Sequence, residues 1–319
     1  MILAPRLSLL ILSLAVVGAG GATAQNYPDR PVRIVTAEPG GGTDLATRLI
    51  AQGLAENMNQ QVIVDNKPAG PIQGDLVAKA RSDGYTLLLT GSSFWITPFL
   101  YEVAWDPVRD FVPITQVANL PNILIVHPAV AASSVKELIA LAKAKSGELN
   151  YGATSAGASA HLAAEMFKAM AGVNIVRISY KGTGQALNDL IGGQVQIMFA
   201  SIPGGMPHVK SGRVKALAIA SAQPSELAPG MPTVSATGLP GYVSVTPYGV
   251  FAPAKTPVAI TNRLHQEILR VLGRAEVKEK FFGFGADVVG STPEQLLATV
   301  KAEMSGMGKL IKEAGIRAE

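Results

Sequence analysis

Hydrophobic positions open the chain as a block rather than a stripe. Leu7 to Val17 is apolar apart from Ser8 and Ser13, Arg6 is the only charge before it, and small residues ending in Ala22-Thr23-Ala24 follow. A basic start, a short apolar core and an A-x-A end have the form of a secretory signal peptide. The run is too short to cross a bilayer. Gly18, Gly20 and Gly21 oppose the alternative of a buried N-terminal helix. We expect residues 1–24 to be removed by cleavage after Ala24, leaving a soluble, exported chain that starts at Gln25.

Beyond that block the pattern becomes periodic. Val32–Thr36 reads as a strand, Pro39-Gly40-Gly41-Gly42 as a loop, and from Thr43 the spacing of Leu45, Leu49 and Leu54 predicts a helix. Val62–Val64 is a strand, Asn66–Gly70 a turn, Asp75–Ala80 a short helix and Thr86–Thr90 a strand after the turn signal Asp83-Gly84. Apolar strands alternating with helices predict a parallel sheet covered on both faces. Ser92–Pro113 reads as irregular, with both tryptophans, Trp95 and Trp105, and Asn122–Val126 as a strand. Ser134 to Glu137 is a capping box opening a helix to about Lys145.

A second unit repeats the theme. Strand Asn150–Ala153 runs into Ser155-Ala156-Gly157-Ala158-Ser159 and a helix of about Ala160–Ala171. Strand Ile175–Ser179, helix Gln185–Ile191, strand Gln196–Ala200, a short helix near Pro207–Ser211 and strand Ala216–Ala220 follow. Near the end, Thr256-Pro257 and Thr292-Pro293 place a cap before proline and open helices of about Val258–Gly273 and Glu294–Glu313. Strand, small-residue loop, helix thus occurs at Val32–Asn57 and again at Asn150–Ala171. Each loop leaves unpaired N–H groups at a helix start, where the helix dipole favours negative charge. Ligands of open parallel sheets sit at such loops. Either loop alone fits a tight connection equally well; the pair favours two units closing on one small anion.

Composition narrows the chemistry. A chain of 319 residues is long for one core and natural for two domains. It has no cysteine, which removes disulfides, thiol catalysis and thiolate metal sites. Its net charge of +4 is scattered, with no basic run, so nucleic-acid binding has no footprint.

The motifs of common catalysts are missing or incomplete. Gly40-Gly41-Gly42-Thr43 lacks the Gly-Lys-Ser/Thr ending of a phosphate loop, and Gly182-Thr183-Gly184 lacks a third glycine for a dinucleotide. Gly157-Ala158-Ser159-Ala160-His161 is not G-x-S-x-G, and residues two apart on a helix diverge. His161 and Glu165 share a helix face, but His127, His208 and His265 are isolated, so a packed histidine is the better reading than a metal ligand. No cofactor or metal is expected. Asp44, in a first helical turn, serves either as a cap or as a ligand-side acceptor.

Tyr27–Arg33, Pro39-Gly40-Gly41 with Asp44 and Arg48, Asn66–Gly70, Asp83–Leu88, Asp106 with Asp110-Phe111, Leu149–Tyr151, His161–Ala163 with Glu165, Tyr180–Gly182, Leu190–Gly193 and Glu313–Ile316 form an ordered set. Together they resemble the Bug (TctC-like) family of periplasmic substrate-binding proteins of tripartite tricarboxylate transporters. The resemblance implies an α/β, two-domain periplasmic-binding-protein (Venus flytrap) fold, each domain a mainly parallel sheet flanked by helices. By the same resemblance domain 1 is residues 25–125 plus 250–319 and domain 2 is residues 126–249. It also implies ligand contacts at Ala37, Gly41, Thr43 and Asp44, at Ser92 and Ser93, and at Ser155, Gly157, Ala158, Ser159 and His161, with Ser201 after the strand ending at Ala200.

Where the family commonly places an aromatic residue before its Pro-Gly-Gly, this chain has Ala37 and Glu38. That removes an aromatic wall and sets a carboxylate near a presumed carboxylate site, with Glu38 facing either the pocket or solvent. The reading is a non-enzymatic, monomeric periplasmic receptor that takes a small organic acid and delivers it to membrane transporter subunits. Two rivals stand beside it: an exported hydrolase using Ser159 or His161, and a receptor for a membrane signalling partner.

Overall fold

A computed structural model describes residues 27–68, 70–154 and 157–317. The expected signal peptide, Gln25 and Ser155 lie outside the described residues. In chain order the elements are β1 (Val32–Thr36), α1 (Gly42–Met58), β2 (Val62–Asn66), α2 (Pro71–Ala78), β3 (Thr86–Thr90), α3 (Ser93–Leu100), β4 (Phe111–Val126), α4 (Val135–Ala144), β5 (Asn150–Ala153) and α5 (Ser159–Ala171). They continue with β6 (Val176–Ser179), α6 (Thr183–Ile191), β7 (Ile197–Ser201), α7 (Ile202–Lys210), β8 (Lys215–Ile219), α8 (Val234–Thr237), β9 (Val245–Pro253), α9 (Val258–Leu272), α10 (Ala275–Gly283), β10 (Asp287–Val288) and α11 (Pro293–Glu313).

Two parallel triplets form the centre of two lobes. β1 pairs in parallel with β2 and β3, and β5 pairs in parallel with β6 and β7. The triplets are joined by two antiparallel strands that the sequence reading did not contain in full. β4 runs beside β9 from Phe111 to Pro121, then lies between β7 and β8 from Ile123 to Val126. β9 pairs with β3 as well, so the strand order is β2-β1-β3-β9-β4-β7-β5-β6. The lobes are therefore linked by two strands hydrogen-bonded to each other.

Proline hid those strands. Pro113 and Pro121 lie in β4 and Pro247 in β9, and a proline normally argues against a central strand. Here β3 reaches only as far as Gly249 of β9, so Pro247 lies past the end of that neighbour. Pro98 hid α3 in the same way; it falls near the end of that helix.

Each lobe has its own apolar interior. One is filled by side chains from residues 27–118 and 248–311, the other by side chains from residues 123–242. Both tryptophans are core: Phe94 stacks on Trp105 at 4.8 Å and meets Phe111 edge-on at 4.8 Å, with Trp95 fully buried against Phe251. Leu162 of α5 joins this aromatic cluster, so the second lobe touches the first there.

Local signals differ in how they are realised. Leu45 is 41 % exposed, and the buried face of α1 is instead Ala46, Ile50, Ala51 and Leu54. Gly53 is in that helix because a Cβ there would lie 2.5 Å from Val271 of α9. α2 begins at Pro71, four residues before the expected start. Thr292 and Gln295 form the full reciprocal cap of α11. Ser134 accepts from the Glu137 N–H, but the Glu137 carboxylate returns to the N–H and hydroxyl of Ser133, one residue earlier than a capping box requires. Thr256 does not cap α9: its hydroxyl bonds to the Pro253 carbonyl, and Pro257 occupies the cap position.

Candidate functional site

The carboxyl ends of β1 and β3 deliver the chain to the starts of α1 and α3, and the end of β5 delivers it to α5 from the opposite lobe. None of these three helices has a side chain capping its first turn. Each therefore keeps backbone N–H donors and the positive end of its dipole for something else. All three starts border one cavity of about 180 Å³. Ala37 belongs to the first loop, Thr43 to the start of α1, Ser92 and Ser93 to the start of α3, and Gly157, Ala158 and Ser159 to the start of α5. Gln73 and Thr90 close one side, Ile96 and Leu162 give an apolar wall, and Thr246 and Tyr248 of β9 form the floor. No described residue lining it is charged. The volume is below the roughly 300 Å³ at which drug-sized sites begin, and so suits a small ligand.

Of the residues singled out from sequence, Ala37, Thr43, Ser92, Ser93, Gly157, Ala158 and Ser159 border the cavity. Gly41, Asp44, His161 and Ser201 do not. Gly41 is exposed at the cap of α1, and a Cβ on it would meet nothing closer than 3.7 Å. The tight approach is one residue later, where a Cβ on Gly42 would collide with the Tyr248 hydroxyl. Ser201 is exposed at the cap of α7.

Asp44 is buried and builds the loop from behind. Its carboxylate accepts from the Gly40 N–H at 2.9 Å, Asn66 Nδ2 at 2.8 Å and Arg48 Nε at 3.0 Å, while Asn66 Nδ2 also reaches the Ala37 carbonyl at 2.6 Å. Burial raises its pKa, but the donors from Arg48, Gly40 and Asn66 outweigh burial and hold the carboxyl below its ordinary value. Glu38 is exposed and outside the cavity lining.

His161 works similarly in the other lobe. Its Nδ1 accepts from the Gly157 N–H at 3.1 Å, fixing the turn in which Gly157 takes a φ of +78°. His161 borders a second, polar hollow of about 230 Å³ with Glu165, Lys168, Arg177 and residues 314–317. Glu165 is committed there: Tyr151 donates to it at 2.5 Å and Lys168 at 2.8 Å. Ser159 Oγ accepts from Asn122 Nδ2 at 3.0 Å and shares a 2.9 Å hydrogen bond with Thr246, which ties the start of α5 to the floor.

A larger hollow of about 430 Å³ lies between α9, α10 and β10. It shares no lining residue with the cavity at the three helix starts and is bordered by residues of one lobe only, so size does not make it the better site. Tyr248 and Thr246 were not legible as site residues because β9 itself was not read as a strand. The β-rich run Val243-Ser-Val-Thr, which enters it, was the available signal.

Comparison with known proteins bears on this geometry. Residues 46–316 match the model of the tripartite tricarboxylate transporter family receptor. Protein BugT of Bordetella pertussis is 34% identical over 318 residues, covering 97% of this chain and 98% of that protein. Among solved structures, R. palustris Rpa4515 with adipate is 34% identical with a TM-score of 0.77, covering 91% of this chain and 99% of that one. MatC (Rpa3494) from Rhodopseudomonas palustris with bound malate is 27% identical with a TM-score of 0.73, covering 89% and 100%.

Proposed function

The chain belongs to the tripartite tricarboxylate transporter receptor family, and on that premise we propose that it is a periplasmic receptor which binds a small organic carboxylate between its lobes and hands it to membrane transporter subunits. The observation that carries this reading is the meeting of three uncapped helix starts, two from one lobe and one from the other, on a cavity lined by no charged described residue. Backbone donors and dipoles offset an anion's charge there without a fixed cation. Related structures carry adipate and malate, both of them carboxylates.

The proposal includes cleavage after Ala24, a monomer, and domains of residues 25–125 with 250–319 and residues 126–249. It also holds that the protein binds without converting its ligand. The hydrolase alternative needs Ser159 beside a base. Instead Ser159 Oγ is engaged by Asn122 and Thr246, and His161 Nδ1 is engaged by the Gly157 N–H. A signalling partner in place of the transporter would use the same cleft.

The test is a thermal-shift panel of mono-, di- and tricarboxylates, cations and sugars, followed by NMR of the best ligand after prolonged incubation. A ligand at about 100 times its Kd adds about 2.7 kcal/mol, a rise of several degrees. Stabilisation by carboxylates with the ligand recovered intact is expected. Stabilisation only by cations or sugars, or conversion of the acid, would refute the reading.

A further inference from the structure

We infer that Tyr248 sorts ligands in this cleft: its phenol hydroxyl donates a hydrogen bond to an acceptor oxygen of the bound acid, and the cavity it floors selects acids that carry no amino group. This rests on the carboxylate-receptor reading and extends it to the class of acid. Tyr248 is 7 % exposed, and its hydroxyl has no hydrogen-bond partner among the described residues. A phenol hydroxyl on so enclosed a side chain is usually completed by some partner. Tyr248 lines the cavity, where a ligand is a partner available.

The sequence makes room for the ring in a specific way. A Cβ on Gly42 would collide with the hydroxyl, and a Cβ on Gly91 would stand 3.2 Å from ring atom Cε1. Gly42 is the first residue of α1, and Gly91 leads into α3. Two glycines on separate loops thus clear one slot between two helix starts, and the ring fills it. The hydroxyl is left beside the uncapped first turn of α1, so an anion drawn to those N–H groups is within its reach. Burial pushes the Tyr248 pKa upward, which keeps the proton on the oxygen and the hydroxyl a donor.

The same surroundings reject a cation. No carboxylate lines the cavity among the described residues. The nearby Asp44 is already saturated by Gly40, Asn66 and Arg48, and Glu38 lies outside the lining. An ammonium group would face the positive ends of three helices with no counter-charge. Ile96 and Leu162 offer an uncharged tail an apolar wall instead.

The test uses the mature chain and three matched series as probes: linear monocarboxylates, linear dicarboxylates from malonate to suberate, and ω-amino acids of equal length. Calorimetric titration ranks them on the parent, on Tyr248→Phe and on Gly42→Ala, with unliganded melting recorded for each. We expect the best acid to bind Tyr248→Phe about ten- to hundredfold more weakly, the span of a hydrogen bond to a charged group. Unliganded melting should stay level, because the hydroxyl makes no hydrogen bond to the described residues that phenylalanine would lose. The matching ω-amino acid should bind the parent at least tenfold more weakly than the acid. Gly42→Ala should bind poorly and melt lower, and the double variant Gly42→Ala/Tyr248→Phe should regain the melting temperature, since the collision is with the hydroxyl oxygen. Parent-like binding by Tyr248→Phe would overturn the role of Tyr248. Equal binding of acid and ω-amino acid would overturn the ligand class. If no acid binds the parent, the carboxylate-receptor reading fails first and this inference falls with it.

Discussion

Replacing Glu303 with glutamine should stabilise the unliganded protein at pH 8 and leave it nearly unchanged at pH 4. Glu303 lies on α11, where its carboxylate accepts from Trp95 Nε1 at 2.8 Å. The residue as a whole keeps some exposure, but the surroundings of the carboxyl, where the charge would reside, set its titration. Burial pushes its pKa up from 4.5 to about 7, with the Trp95 hydrogen bond opposing. Below about pH 4.5 folded and unfolded chains both hold the proton, and the carboxyl takes nothing from stability. As pH rises through that value the unfolded chain releases its proton while the folded one retains it, so stability is lost progressively until pH passes about 7. A displacement from 4.5 to about 7, at about 1.36 kcal/mol per unit, corresponds to roughly 3 kcal/mol at pH 8. Glutamine keeps an oxygen for Trp95 and has no proton to lose. At about 2 °C per kcal/mol for a chain of this size, Glu303→Gln should melt roughly 6 °C above the parent at pH 8. Melting curves followed by circular dichroism at pH 4 and pH 8 make the comparison. A difference of the same size at both pH values would refute the reasoning, because it would show that proton retention by Glu303 is not the cause.

Two further outcomes follow from packing and placement. Gly53→Ala gains up to about 1 kcal/mol of helix propensity but drives its methyl against Val271, and overpacking of a tight core costs about 1–3 kcal/mol; chemical denaturation should show a net loss that Val271→Ala in the same chain partly reverses. Glu38→Gln should alter the affinity of every acid in a calorimetric series by less than about threefold, since Glu38 is exposed and outside the cavity lining.

The parallel triplets were legible because each strand is a short apolar run followed by a turn signal and a helical period, a pattern that local sequence carries by itself. β9 and the part of β4 before Asn122 were not, because Pro113, Pro121 and Pro247 speak against strands unless their neighbours are known, and those neighbours are distant in sequence. The site divided along the same line. Ala37, Thr43, Ser92 and Ser159 could be named because the loops that carry them match those of the family the chain resembles, and two of those loops are marked out by glycine and serine between a strand and a helix. Tyr248 could not, because its significance depends on Gly42 and Gly91, about 200 and 157 residues earlier, leaving space for its ring. For Asp44 the sequence leaves open a cap or a ligand-side acceptor, and for His161 it favours a packed ring that the resemblance also places at the ligand. The fold uses both to set the shape of the loops that border the cavity.

The two crossing strands have a mechanical consequence. Thr246 and Tyr248 floor the cavity, and they belong to the same strand whose pairing with β4, Leu120 opposite Thr246 and Pro121 opposite Val245, carries the chain from lobe to lobe. If the lobes turn about these strands, the floor lies at the turning axis, and an acid held there as proposed sits at a very short radius from it. A rotation that shifts atoms at the ligand by a fraction of an ångström sweeps the outer rim of each lobe through several times that distance, in proportion to the longer arm. The ligand thereby acts on the short arm of a lever. By the reciprocity of coupled equilibria, whatever grips the rim from outside acts back on the affinity of the cleft through the long arm. On the proposed receptor reading, a membrane partner that touches only the rim would in this way loosen the acid without entering the cavity.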